Sequence, residues 1–210
     1  MKITKEIRRI ALFMAFGDGC IEKYGNLTIK HCIALKEYLL YKYKLIKVLC
    51  NHAPREITYN NFKAFKLNTK CFDFLKLYRR VLYPNNKKTL TRKLLNKLTP
   101  LGIYLWYLDD GGMSKRQVKN GYAIKEIMLN TGLNKEENQI IIDYFKDVWN
   151  ISFSQVKNHN CYRLRCGKKE GEKFLKIFNK YHNDVISMKY KIDPNFHIST
   201  DVGEINPEME

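Results

Sequence analysis

Two runs of large apolar side chains in this sequence of 210 residues end in aspartate and glycine. Residues 103–112 read IYLWYLDDGG, and residues 11–19 read ALFMAFGDG. An unpaired carboxylate is costly to bury, so Asp18, Asp109 and Asp110 need compensation from a helix cap, a cation or a substrate. Taken alone, Asp-Asp-Gly-Gly is typical of a helix that runs into a turn.

Each of these runs is predicted to be a helix. Apolar residues recur at helical spacing before Asp18-Gly19, at Ile3, Ile7, Ile10, Ala11 and Met14. Thr99 and Pro100 supply an N-cap and a first-turn proline for a helix through Leu108. Two similar helices, separated by close to half of the chain, indicate an internal repeat.

The segments that follow the two helices also match. In the first half we predict strands over Cys20–Tyr24 and Leu27–Cys32 with a turn at Gly25-Asn26, a helix over Leu35–Leu49, strands over Glu56–Asn60 and Phe62–Asn68, and a helix over Cys71–Leu82. In the second half we predict strands near Met113–Val118 and Tyr122–Asn130, a helix over Lys135–Trp149, strands over Ser152–Lys157 and Tyr162–Cys166, and a helix over Gly171–Tyr181. The predicted class is therefore α+β, with two pseudo-symmetric αββαββα halves at 1–83 and 100–192, a linker at 84–99 and an acidic tail at 193–210.

If the two helices pack about a pseudo-twofold axis, Asp18 and Asp110 lie side by side at one end of their interface. Two anions at the negative ends of two helix dipoles are mutually unfavourable, and a divalent cation removes the conflict. Oxygen ligands favour Mg²⁺ over zinc, because the five histidines form no recognisable metal cluster and the six cysteines show no CxxC pair. The scatter of these cysteines predicts free thiols in a reducing compartment.

The charge balance predicts a polyanionic partner. Lysine and arginine number 38 against 21 acids, a net charge of +17. After Lys191 the sequence contains acidic residues but no lysine or arginine. Ribosomal proteins and membrane-surface binders share this feature, so it names a class of partner and no reaction. The apolar run Ile10–Phe16 is too short to span a membrane, and we expect a soluble intracellular protein, in an organelle matrix or in bacterial or phage-host cytoplasm.

Polar side chains alternate with apolar ones along several predicted strands. Period-2 alternation places the apolar set on the helices and the polar set on an open face, which suits phosphates and base edges. Candidate DNA contacts are Asn26, Thr28, Lys30, Arg163 and Arg165, with Lys66 and Lys157 on strands that alternate less clearly. The aromatic residues of the outer helices have helical spacing and are interpreted as core.

The sequence resembles the LAGLIDADG homing endonucleases, specifically the single-chain, two-motif branch that includes the omega-type intron-encoded endonuclease. Ala11–Gly19 and Ile103–Gly111 align with the nine-residue motif, and the resemblance covers roughly residues 5–192. Four further stretches carry it: LTPLGIYLWYLDDGG, PNNKKT, IMLNTGLNKEENQIIIDYF and SMKYKI. Two positions differ from the family's motif. The third position, small in the family, is Phe13 in the first copy and Leu105 in the second, and the sixth position, Asp in the family, is Phe16 and Leu108.

The resemblance implies a central interface between the two motif helices and a saddle-shaped sheet in each half that faces DNA. It implies that Asp18 and Asp110 bind divalent metal at the scissile phosphates, with the backbone carbonyls of Gly17 and Asp109 as further ligands. Lys88, in NNKKT, and Lys191, in MKYKI, match the lysine that each half places beside the metal.

The predicted function is that of a monomeric, Mg²⁺-dependent, site-specific double-strand DNA endonuclease, with Mn²⁺ expected to substitute. Two alternatives stay open: an RNA-binding maturase that helps an intron fold, and a DNA-binding regulator, which we expect to lose one or both acids. Both aspartates and both lysines are kept, which favours the nuclease. With no splicing-junction sequence visible, the sequence indicates a free-standing intron- or intergenic-encoded protein rather than an intein.

Overall fold

The computed structural model describes residues 2–59, 62–158 and 161–196. Its α-helices are α1 (Lys5–Met14), α2 (Lys36–Ile46), α3 (Asp73–Leu82), α4 (Arg92–Leu95), α5 (Pro100–Asp110), α6 (Lys135–Trp149) and α7 (Lys168–Lys176). Its strands are β1 (Cys20–Ile21), β2 (Leu27–Cys32), β3 (Arg55–Tyr59), β4 (Phe62–Asn68), β5 (Gly111–Val118), β6 (Gly121–Leu133), β7 (Ser154–Asn158) and β8 (Cys161–Gly167). Short 3₁₀ helices lie at Ile33–Leu35, Lys47–Leu49, Pro84–Asn86, Asn179–Tyr181 and Ile186–Lys191.

The two halves have the same topology. One antiparallel sheet has the order β1-β2-β4-β3 and the other the order β5-β6-β8-β7, so each half repeats one strand order with its helices in equivalent places. The predicted α+β class and the two αββαββα halves are confirmed. The 84–99 segment between them is not featureless, because it contains a 3₁₀ turn and helix α4.

One face of each sheet packs on the helices. In β2 and β4, Ile29 pairs with Leu67 and His31 with Phe65, all of them buried. In the second sheet Leu129 pairs with Leu164 in the same way. Aromatic residues of the outer helices belong to the core, as their helical spacing predicts: Tyr144 and Phe145 on α6, Phe174 on α7 and Phe178 just after α7.

Helices α1 and α5 cross at the centre of the molecule. Both begin at a threonine whose hydroxyl accepts a backbone N–H, from Ile7 at Thr4 and from Gly102 at Thr99, which confirms the predicted cap. A Cβ on Gly102 would lie 2.6 Å from the Phe13 ring, so the two helices touch closely there. The bulky Phe13 of the first motif is thus accommodated by a glycine that precedes the second.

Several element boundaries differ from the prediction. Helix α1 ends at Met14 and residues 15–18 form turns, whereas α5 continues to Asp110. Strand β1 stops at Ile21, because the Glu22 N–H bonds to the Asn26 carbonyl and closes a five-residue loop with Gly25 at φ 84°. The last helix begins at Lys168 and ends at Lys176, and a 3₁₀ turn follows it. Asn60 and most of the acidic tail lie outside the described residues.

All six cysteines are free thiols, as predicted. None of the described helices combines the length and the apolarity that crossing a bilayer requires.

Candidate active site

Asp18 and Asp110 line one cavity between the two halves. The cavity has a volume of about 700 Å³ and is lined by Asp18, Asp109, Asp110, Gly111, Asn130, Asn158, Arg163 and Lys191. Asp110 is the last residue of α5, whereas Asp18 lies in the turns beyond α1 and is 40% exposed at its side chain. The sequence predicted that these two carboxylates would share one end of the helix interface, and the structure brings them there.

The two predicted lysines make equivalent contacts. The Lys88 ammonium donates to the carbonyl oxygens of Phe16 and Gly17, at 3.1 and 2.7 Å. The Lys191 ammonium donates to those of Leu108 and Asp109, at 2.7 and 3.2 Å. In each half these carbonyls belong to the two residues before the motif aspartate, so the lysines are related by the pseudo-symmetry. The carbonyls of Gly17 and Asp109, predicted as metal ligands, accept lysine hydrogen bonds in this structure.

The side chain of Asp109 is fully buried and connects the halves. Its Oδ1 atom accepts from Tyr38 Oη at 2.8 Å and from Lys42 Nζ at 2.5 Å, both on helix α2 of the other half. Its Oδ2 atom accepts the backbone N–H of Asp18 at 3.1 Å. Gly17 occupies the equivalent motif position in the first half, and a Cβ there would collide with the Asp109 carboxylate. One motif therefore leaves a space at this position that the other motif fills.

His31 extends this buried group to Asp18. Its Nε2 atom lies 3.1 Å from Lys42 Nζ, and its Nδ1 atom lies 3.6 Å from Asp18 Oδ2. Burial and the Lys42 ammonium lower the pKa of His31 to about 3, so the ring is neutral near pH 7. The sequence analysis found no metal cluster that includes a histidine. Here Asp18, His31 and Asp109 do offer atoms within 4.8 Å of one another, but hydrogen bonds already occupy both Asp109 oxygens.

Burial and mutual repulsion raise the pKa values of the motif carboxylates. Burial, then Asp109 and Asp18, raises the pKa of Asp110 to about 7. Burial, then Asp109, raises the pKa of Asp18 as well. Burial also disfavours the charged form of Lys191 and lowers its pKa, although the nearby aspartates act in the opposite direction. The cavity is a place where negative charge is disfavoured until a cation compensates it.

The donor set of this cavity fits a hard divalent cation. Asp18 and Asp110 supply one carboxylate from each half. Among the described contacts, the Asp110 carboxylate accepts one hydrogen bond, from Trp106 Nε1 at 3.1 Å. Carboxylate and carbonyl oxygens are the ligands of Mg²⁺ and Mn²⁺, and no cysteine lines the cavity.

In the first sheet, the predicted DNA contacts share the face away from the helices. Lys30 pairs with Lys66, and Lys66 pairs with Arg55 on β3, which gives a row of three basic residues across three strands. Thr28 lies on the same face but is 7% exposed, because its hydroxyl donates to Asn68 Oδ1 and accepts from Asn26. The sequence analysis missed Arg55. Alternation gave no signal for it, because Arg55 shares its face with apolar Ile57, and charged Glu56 lies on the face of buried Phe65.

The second sheet places its basic residues differently from the prediction. Arg165 is exposed on the open face and lies 3.8 Å from Glu126, while Arg163 on the same strand lines the cavity with the motif aspartates. Lys157 was predicted as a DNA contact on a strand that alternates less clearly, and its register differs from that of the open-face residues. It pairs with Tyr162 in the register that also pairs Gln155 with buried Leu164, so it lies on the helix side of the strand end.

Tyr38 and Lys42 were not identified from the sequence. They are separated by one helical turn on α2, where the lysine is fully buried with its ammonium 4.3 Å from the Tyr38 ring centre. The signal was a lysine on the apolar face of an amphipathic helix, which requires a buried anion as partner.

Comparison with known proteins decides the family. The sequence pattern of the LAGLIDADG DNA endonuclease family matches residues 10–174. This chain belongs to that family. A probable intron-encoded endonuclease 1 of Wickerhamomyces canadensis is 30% identical over 146 residues, 68% of this chain and 58% of that protein. A cytochrome b mRNA maturase bI2 of Debaryomyces hansenii is 32% identical over 102 residues, 43% of this chain and 39% of that protein. The chain therefore spans little more than half of the length of the first of these relatives.

Solved structures of LAGLIDADG proteins share the fold. The homing endonuclease I-WcaI bound to its DNA recognition sequence superposes with a TM-score of 0.79 at 23% identity, over 93% of this chain and 90% of that one. I-DmoI in complex with DNA and Mn superposes with a TM-score of 0.52 at 14% identity, over 82% of this chain and 96% of that one. The two sheets and the central helices of this chain are those of the LAGLIDADG fold.

Proposed function

We propose that this LAGLIDADG protein is a site-specific double-strand DNA endonuclease that acts as a monomer. One observation carries the proposal: a single cavity holds two carboxylates, one from each half, and in each half a lysine bonds to the two carbonyls before the carboxylate. Two equivalent sets of groups in one chain match a duplex, which has two strands to cut. The related I-WcaI, described as bound to its DNA recognition sequence, supports DNA as the substrate.

We propose Mg²⁺ as the cofactor, with Mn²⁺ able to replace it. Asp18 and Asp110 are the proposed carboxylate ligands, and the carbonyls of Gly17 and Asp109 are the proposed further ligands. A divalent cation bound there would activate water, stabilise the transition-state charge and neutralise the leaving 3′-oxygen. The structure of I-DmoI with DNA and Mn supports a divalent ion in this family.

The residues of the chain supply charge and position. The Lys88 and Lys191 ammonium groups offset negative charge that develops at the phosphate and orient the attacking water. Arg163 is a further candidate for contact with the phosphate. It lines the cavity, and its Nε atom is buried without a hydrogen-bond partner in the protein. A guanidinium in this position fits a phosphate oxygen.

The open sheet faces are the proposed DNA-binding surface. The row formed by Lys30, Lys66 and Arg55, and Arg165 on the second sheet, offer cations for phosphates and for guanine edges. Asn26 and Thr28 complete the candidate contacts on the first sheet. Lys157 stays a proposed contact to the DNA backbone, because it is exposed near the end of β7 although its register places it on the helix side.

An RNA maturase is the second candidate, because the chain is also similar to the cytochrome b mRNA maturase bI2. The two functions differ in what they require of the motif carboxylates. Binding of folded intron RNA needs the basic surface only, whereas hydrolysis needs both aspartates. Preferential binding of intron RNA over duplex DNA, without cleavage of any duplex, would support the maturase.

Selection of cleaved sequences from a random duplex library with Mg²⁺ tests the activity and reports the target. On that target, Asp18→Asn or Asp110→Asn is expected to leave DNA binding intact and to abolish double-strand cleavage, because an amide is a poor substitute for a charged ligand. Asp143→Asn is the matched control, since Asp143 is exposed on α6 and bonds to Gln139. Cleavage by both motif variants at the parental rate would overturn the assignment.

A further inference from the structure

The two lysines of the site lie on segments that carry little regular structure of their own. Lys88 follows the 3₁₀ turn Pro84–Asn86, and Lys191 ends the 3₁₀ helix Ile186–Lys191. Each ammonium nevertheless holds two carbonyls at hydrogen-bond distance. Something outside each segment must fix its backbone, because short 3₁₀ helices are weak elements.

The Lys191 segment is held both by its own half, where Tyr107 donates to the Lys191 carbonyl at 2.7 Å, and by the first half. Glu37, in the first turn of α2, accepts the backbone N–H of Ile186 at 3.2 Å and that of Ser187 at 2.9 Å. These are the first residues of the 3₁₀ helix, whose N–H groups lack partners within it. Tyr41, one turn further along α2, donates to Asp184 Oδ2 at 2.8 Å. Burial raises the pKa of Glu37, but the hydrogen bonds from Ser187 and Ile186 outweigh it and hold that pKa below its usual value.

The Lys88 segment is fixed by the second half. Glu137, in the first turn of α6, lies 3.5 Å from Lys87 Nζ and accepts from Thr89 Oγ1 at 3.3 Å. Glu137 therefore contacts the residues immediately before and after Lys88 in the sequence. Glu137 also closes the capping box of α6 with Asn134, so its carboxylate is oriented by the helix that carries it.

Helices α2 and α6 are equivalent by the repeat, and each carries such a glutamate in its first turn. The contacts differ in kind, because Glu37 accepts two backbone N–H groups and Glu137 contacts the side chains of Lys87 and Thr89. We propose that Glu37 and Glu137 are crossed positioning residues: each half uses a glutamate at the start of its second helix to set the lysine of the other half. The inference rests on the proposed endonuclease function, since it assigns a role only if Lys88 and Lys191 act at the phosphate. Its consequence is that neither half holds a complete site by itself.

The first test measures each strand separately. A supercoiled plasmid with one target is cut by Glu37→Ala and by Glu137→Ala, and strand-specific end labels identify the slow strand. Lys191→Met and Lys88→Met serve as references for the two strands. Because misplacing a catalytic group by about 1 Å costs up to roughly a hundredfold, we expect a ten- to hundredfold loss on one strand only. Glu37→Ala should slow the strand that Lys191→Met slows, and Glu137→Ala the strand that Lys88→Met slows.

A control variant separates positioning from the loss of a carboxylate. Glu136→Ala removes an exposed carboxylate from the same turn of α6. It is expected to leave both strand rates at the parental value. Glu37→Gln and Glu137→Gln keep an acceptor oxygen and are expected to recover part of the lost rate.

A second test does not depend on catalysis. Acetylation of lysines in the DNA-free protein, quantified by mass spectrometry, reports how often each ammonium leaves its carbonyls. Glu37→Ala is expected to speed the labelling of Lys191 and leave that of Lys88 unchanged, and Glu137→Ala to do the converse. Equal labelling changes at both lysines, or none, would overturn the crossed arrangement.

The outcomes distinguish this inference from the proposed function. If the lysine references nick opposite strands while the glutamate variants slow both strands equally or neither, the crossed positioning is wrong and the endonuclease stands. If Lys88→Met and Lys191→Met cut both strands at the parental rate, the lysines are not catalytic and the positioning role fails with them. If the parental protein cuts no duplex, the proposed function itself is wrong, and the labelling experiment still decides the crossed contact.

Discussion

At the scale of single residues, the adjacent aspartates Asp109 and Asp110 have different surroundings. Its carboxylate is buried with Lys42, bonded to Tyr38 and bonded to the backbone of Asp18, whereas Asp110 faces the cavity. A buried ion pair contributes little net stability, but removal of one partner leaves an uncompensated charge. Two adjacent aspartates thus do separate work, one structural and one proposed to be catalytic.

Replacement of Lys42 tests this division. Lys42→Met leaves the Asp109 carboxylate buried without its cation and is expected to lower the free energy of unfolding by about 3–5 kcal/mol. The double variant Lys42→Met with Asp109→Asn removes both charges and keeps an amide oxygen that can accept a hydrogen bond, so it should recover part of the loss. Lys44→Met, on an exposed position of the same helix, is the control in chemical denaturation. Equal stability of the Lys42 and Lys44 variants would contradict the role of the pair.

The raised pKa values of the motif carboxylates predict a pH-dependent response to metal. The pKa of Asp110 is about 7 in the folded protein, against 3.8 in an ordinary aspartate, and that of Asp18 is also raised. The folded form therefore keeps a proton that the unfolded form has lost, so the metal-free protein should lose stability as the pH rises between these two values. Mg²⁺ binds the ionised form, and its thermal stabilisation should be larger at pH 8 than at pH 5. An equal Mg²⁺ effect at both pH values, or a pH effect of undiminished size in Asp110→Asn, would refute this.

At the scale of elements, the contact between α1 and α5 sets the distance between the two carboxylates. The motif lacks a small residue at its third position, where Phe13 stands, and Gly102 supplies the space instead. Two small residues, Ala11 on α1 and Ala15 just after it, are fully buried. The close approach of α1 and α5 thus depends on the contact between Gly102 and the Phe13 ring.

Gly102→Ala probes this contact. The added Cβ would lie 2.6 Å from the Phe13 ring, and overpacking of this kind typically costs about 1–3 kcal/mol. Phe13→Leu combined with Gly102→Ala should cost less than the sum of the single changes, since the smaller ring-free side chain yields the space. Thermal or denaturant unfolding of the four proteins gives the coupling energy. Additive losses would show that the two residues do not compete for one space.

At the scale of the whole molecule, the positive charge lies on a body with two open sheet faces. A net charge of +17 with an acidic C-terminal end concentrates the basic residues in the two halves. A duplex laid along both sheets meets the Lys30, Lys66 and Arg55 row on one side and Arg165 on the other. Binding should therefore release many counterions and depend steeply on salt.

The salt dependence can be measured directly. For six to ten phosphate contacts, log K for the target duplex should fall with log salt at a slope of roughly −5 to −9. Lys66→Met should reduce the magnitude of the slope by about 1, whereas Lys169→Met, exposed on α7 away from the sheet face, should not change it. A slope shallower than about −2 would show that the charge serves another partner, and an equal slope on folded RNA without DNA preference would favour the maturase.

The sequence by itself determined the repeat, the sheet-forming segments and the pair Asp18 and Asp110. Hydrophobic period and turn residues act over a few positions, so they are written in local sequence, and the same pattern written twice predicts two similar halves. Alternation also placed Lys30 on the open face. It was unclear for the strands of Lys66 and Lys157, and pairing with the partner strands decided that Lys66 lies on the open face and Lys157 on the helix side.

Only the tertiary structure decided which polar residues meet across the halves. Asp109 joins Tyr38 and Lys42, and Glu37 joins Ile186 and Ser187, in each case between segments far apart in the chain. Nothing local in the sequence pairs these groups, because a buried charge selects its partner by where the folded backbone brings the two together. The sequence could show that Lys42 needed an anion and that the Lys191 segment needed support, and the packing of α2 across the interface decided what supplied them.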